Sequence, residues 1–108
     1  MTGSLRIVTV LLAIVYFGAS AYHSGLVVPA GALTPASIAE ALLGLVLVAT
    51  LVGWLSPRVG YAIVLAGTLF GLTIVVLRGL LGVDLWIHVA MLAGLAIGFG
   101  LIFTRRTT

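Results

Sequence analysis

The chain has 108 residues, of which 63% are apolar and only 6% charged, and its mean hydropathy is +1.41. Soluble domains average about 45–50% apolar and about 25% charged residues, so this composition cannot cover a water-facing surface and points to an integral membrane protein. The pI of 10.2 comes from five basic residues spread along the whole chain, which excludes a nucleic-acid surface, and the absence of cysteine excludes disulfides and thiolate chemistry.

Each membrane-spanning helix needs about 20 apolar residues, so four spans nearly exhaust the chain and residues 1–108 read as a single domain. The first predicted span runs from Leu5 to Tyr22. It also matches the pattern of a signal peptide, with Arg6 before an apolar stretch and Ala19-Ser20-Ala21 as a small-residue site; we expect a retained span. Residues His23 to Thr34 are rich in Gly, Pro and small side chains and form a loop against the lipid interface or a partner. Thr34-Pro35 opens the second span, predicted to reach Leu55. The short Ser56-Pro57-Arg58 link then forces a third span, Val59 to Leu77, to lie antiparallel beside the second. After a glycine-containing loop, Asp84 caps a fourth span over residues 85–103. The expected fold is an all-α, four-helix transmembrane bundle.

Four spans put both termini on one side, and that side collects Arg6, Arg58, Arg105 and Arg106 against Arg78 alone. The positive-inside tendency therefore places the protein in the cell membrane with both termini cytoplasmic. Trp54 and Tyr61 fall at the inner interface and Tyr22 and Trp86 at the outer, as an aromatic belt would have them. Gly67 and Gly71, and Gly94 and Gly98, are spaced four apart and are expected to pack helices within the bundle, or else a dimer. Thr9, Thr50, Thr68 and Thr73 are expected to bond back to their own helices.

This topology collects the remaining ionisable residues on the outer half. Glu40 lies about 9 Å inside span two at 1.5 Å per residue, where an acid is costly and is by default a candidate for a functional site. Ser37 and Gly44 share its face, so it is expected to look into the bundle, either carrying charge or fixing the helices through Arg78, His23 or His88. Asp84 and His88 are four apart, so the carboxylate can orient the imidazole. His23 ends span one, where the wet interface would suit it, and Arg78 anchors at the headgroups.

The functional expectation is an outward-facing polar pocket of Glu40, His88 and His23, rimmed by Asp84 and Arg78, that binds or transports a proton, cation or small ligand rather than performing covalent catalysis. Two histidines and a carboxylate also suit a transition metal (His23, Glu40 and His88 as ligands), and two histidines suit a haem, making a redox subunit the alternative. A structural subunit of a larger membrane complex, docking through the loop from Leu26 to Leu33, is the other. Four short helices enclose no aqueous path, so a transporter of this size is expected to form a homo-oligomer.

Overall fold

The computed structural model describes residues 1–25 and 34–104. It contains four helices in chain order: α1 (Gly3–His23), α2 (Thr34–Leu51), α3 (Pro57–Leu77) and α4 (Val83–Thr104). Each packs against two neighbours in the cyclic order α1, α2, α3, α4, so the chain forms a four-helix bundle 45 Å long. Three of the helices, α1, α3 and α4, are long and apolar enough to cross a membrane; α2 is shorter.

The helix ends follow local chemistry. Thr2 and Ser56 accept from the backbone N–H groups of Leu5 and Val59, capping α1 and α3, and Pro57 occupies the first turn of α3, where its missing N–H costs nothing. The second span stops at Leu51 rather than Leu55. Gly53 adopts φ +85°, its N–H donates to Thr50 O (3.3 Å), and the Trp54 N–H reaches back to Ala49 O (2.9 Å). This paired return closes the last carbonyls of the helix around a left-handed residue that glycine adopts without steric cost. The apolar run continues past it, which is why hydrophobicity overran the true end. Asp84 lies within the first turn of α4, which begins at Val83, and its carboxylate is used elsewhere.

The buried face of α1 is regular: Leu5, Thr9, Leu12, Tyr16, Ala19 and His23 alternate spacings of four and three, the seam of a left-handed bundle. Three of these, Thr9, Tyr16 and His23, are polar and seven apart. The first two bridge the bundle diagonally to α3. Thr9 Oγ1 and the Tyr61 hydroxyl lie 2.7 Å apart, and the Tyr16 hydroxyl and Thr68 Oγ1 lie 2.5 Å apart, while each threonine donates to the carbonyl four residues before it. Thr50 and Thr73 bond back in the same way. Tyr61 is therefore a fully buried core residue and not part of an interfacial belt, whereas Trp54 and Trp86 are exposed.

The four paired glycines all face inward. A methyl group at Gly67 would meet Leu43, at Gly71 His88, at Gly94 Leu12 and at Gly98 the Tyr61 ring, so each lets two helices approach within the bundle.

Candidate functional site

The third polar layer of the bundle is the candidate site. His23, at the last turn of α1, is 1% exposed and bridges two carboxylates from two other helices. Its Nδ1 is hydrogen-bonded to Glu40 Oε1 at 2.5 Å, and its Nε2 to Asp84 Oδ1. His23 is thus the centre of the cluster and not a residue of the wet interface. One turn away on each helix, Ser20 donates to the Ser37 carbonyl and Ser37 to the Ser20 carbonyl, both at 2.7 Å. This reciprocal tie locks α1 to α2 three residues before His23 and Glu40, and so fixes their register.

His88 takes a different partner from the one its spacing implied. Its Nδ1–H donates to the backbone carbonyl of Asp84 at 2.8 Å, and the Asp84 carboxylate turns instead to His23. A helical residue four positions back always offers its carbonyl, and the Asp84 side chain is drawn away by a stronger, charge-assisted bond. His88 Nε2 has no hydrogen-bond partner among the described residues. Arg78 is exposed at the C-terminal end of α3 and forms no ion pair among the described residues, so the fixing partner of Glu40 is His23 and not Arg78.

Proton counting gives the charge of the layer. The two hydrogen bonds of His23 contain two protons, shared among an imidazole and two carboxylates. If both sit on the ring, an imidazolium faces two carboxylates; if either moves to a carboxylate, that acid and the ring become neutral together. Every arrangement leaves a net charge of about −1 on the triad. The second oxygen of Glu40, Oε2, is buried and has no hydrogen-bond partner among the described residues.

A cavity of about 230 Å³ lies beside the triad, with Glu40 among its lining residues. Glu40, His23, Asp84, His88 and Arg78 line it, together with apolar residues that include Leu43, Phe70 and Ile74. All five residues expected at the pocket therefore meet at one cavity. Tyr16 and Thr68 line it as well; sequence reasoning missed them, although Tyr16 stands seven residues before His23 on the same buried seam.

As a metal centre the set does not hold together. Both ring nitrogens of His23 are committed to carboxylates, and among the described residues no group of three or more His, Asp or Glu side chains is arranged to hold a metal ion. The proposed docking loop, Leu26 to Leu33, lies outside the described residues, as do Arg105 and Arg106. Comparison of the chain with family models, curated proteins and solved structures finds no match.

Proposed function

We propose that this chain is a multi-pass membrane protein that binds, and can pass on, a proton or small cation at Glu40, with the site facing outward and both termini cytoplasmic. The observation that carries the reading is the buried, unpartnered Oε2 of Glu40, a residue that lines the cavity, on a triad whose two internal bonds leave it one positive charge short. A buried acceptor in that condition costs about 1–3 kcal/mol, more when charged, and a proton or a cation offsets it. The layer also offers a route. From Oε2 the path runs through Oε1 and across the His23 ring to Asp84, whose side chain is 22% exposed, so a proton taken at the buried end can be delivered near the surface. The orientation is supported by Arg6 and Arg58, which sit at the end of the bundle opposite His23 and Asp84.

Glu40 is the only glutamate in the chain. Carboxyl-labelled glutamate therefore reports this one residue, by infrared spectroscopy of the full chain in lipid nanodiscs across a pH series. The reading requires the labelled carboxyl to exchange a proton while the bundle stays folded, and Asp84→Asn to alter that exchange through His23. A labelled carboxyl that never changes protonation state in the folded protein contradicts it.

A further inference from the structure

We infer that the cavity selects a primary or secondary ammonium ion with a small apolar body, entering sideways from the bilayer between α2 and α3. The inference deepens the proposed function and rests on Glu40 as the counter-charge of the cavity. Two of the residues that line it carry a polar atom with no hydrogen-bond partner among the described residues: Glu40, 5% exposed, whose Oε2 is buried, and His88, whose Nδ1–H donates to the Asp84 carbonyl and whose Nε2 is unpartnered. With the carboxylate oxygen and the imidazole nitrogen both accepting, the ligand has at least two N–H donors and a positive charge. A quaternary ammonium brings the charge but no donor, and an alcohol brings a donor but no charge.

The rest of the cavity gives the size and the way in. At about 230 Å³ it exceeds the about 150 Å³ that holds one benzene ring and falls below the about 300 Å³ at which drug-sized pockets begin. A ring with a short chain fits. Close packing of α2 on α3 is marked by Gly60 beneath Thr50 and Gly67 beneath Leu43; one turn further, Gly71 faces His88 of α4 instead. The two helices part at that level, and the lining residues at the gap, Ala39 on one side and Phe70 and Ile74 on the other, are exposed and apolar. Such a rim opens toward hydrocarbon, so the ligand arrives dissolved in the membrane.

Phenylbutylammonium and benzyltrimethylammonium have the same formula and the same charge and differ in whether nitrogen carries hydrogens. Calorimetric titration of both, and of neutral phenylbutanol, into the full chain in nanodiscs tests the inference. With charged hydrogen bonds worth about 1.5–3 kcal/mol, phenylbutylammonium should bind about tenfold or more tightly than either control. Glu40→Gln, which presents an amide donor to the cavity in place of an acceptor, should weaken it about tenfold or more; Glu40→Asp, which keeps the charge, serves if the glutamine variant does not fold, and should retain the preference for the primary ammonium. Equal affinity for the two cations, with loss of both in Glu40→Gln, overturns the donor requirement and leaves the counter-charge intact. Binding that survives Glu40→Gln unchanged overturns both. Absence of binding by all three compounds overturns the inference alone, because the labelled-glutamate spectrum judges the counter-charge without any ligand.

Discussion

Replacing His23 by Leu removes the one residue that joins three helices at the polar layer. The imidazole forms two hydrogen bonds with carboxylates, each worth about 1.5–3 kcal/mol, and stripping one partner from a buried ionic group costs about 3–5 kcal/mol. Asp84 retains 22% side-chain exposure and recovers some hydration, whereas Glu40, 7% exposed by side chain, recovers almost none. The orphaned Glu40 therefore dominates the loss, about 3–5 kcal/mol, read from reversible unfolding in mixed detergent and denaturing-surfactant micelles. Adding Glu40→Leu to the same chain should restore most of it, since an apolar replacement of a buried ionic set is often neutral or stabilising. If His23→Leu alone leaves the unfolding midpoint in place, the triad does not join the helices as described. If the double variant is no more stable than the single, the cost arose from packing and not from an orphaned carboxylate.

Four further substitutions follow from the same geometry. Gly98→Ala places a methyl against the fully buried Tyr61 ring and should cost about 1–3 kcal/mol, while Gly100→Ala, with open space around it, should be neutral or stabilising by up to about 1 kcal/mol; unfolding of the two in parallel checks the contrast. Gly71→Ala puts a methyl 2.9 Å from His88 Nε2, forcing the imidazole aside, and should lower phenylbutylammonium affinity severalfold in calorimetry while the helical circular dichroism is preserved. Tyr16→Phe removes one diagonal bridge but leaves Thr68 bonded to its own helix, so the loss in the same unfolding assay should be small, about 0.6 kcal/mol.

Much of the architecture was legible because membrane helices announce themselves by length and apolarity, and because Thr34-Pro35 and Ser56-Pro57 mark helix starts. The end of α2 was misread because the apolar run continues through Val52, Trp54 and Leu55; the glycine at position 53 held the signal. Glu40 was legible as a costly acid on a small-residue face. His23 was undervalued for a physical reason: a residue at a helix end is exposed in an isolated helix, and only the arrival of α2 and α4 buries it. A pattern was nevertheless present. Thr9, Tyr16 and His23 recur every seven residues in an otherwise apolar helix, and polar side chains in lipid seek the bundle interior. The Asp84 to His88 pairing failed because spacing along one helix cannot say which of two acceptors, carbonyl or carboxylate, a ring nitrogen will find.

The central claim is that a proton and a cation compete for one oxygen, Glu40 Oε2. The titratable and charged groups that line the cavity with Glu40 are Tyr16 and His23 from α1, Asp84 and His88 from α4, and Arg78 just after α3. The direct measurement is phenylbutylammonium affinity as a function of pH, over the range in which the labelled Glu40 carboxyl changes protonation. If the cation displaces one proton, affinity should fall about tenfold for each unit of pH on the acid side of that range, and Glu40→Gln should abolish this dependence. An affinity that stays flat while the labelled carboxyl takes up its proton would contradict the account.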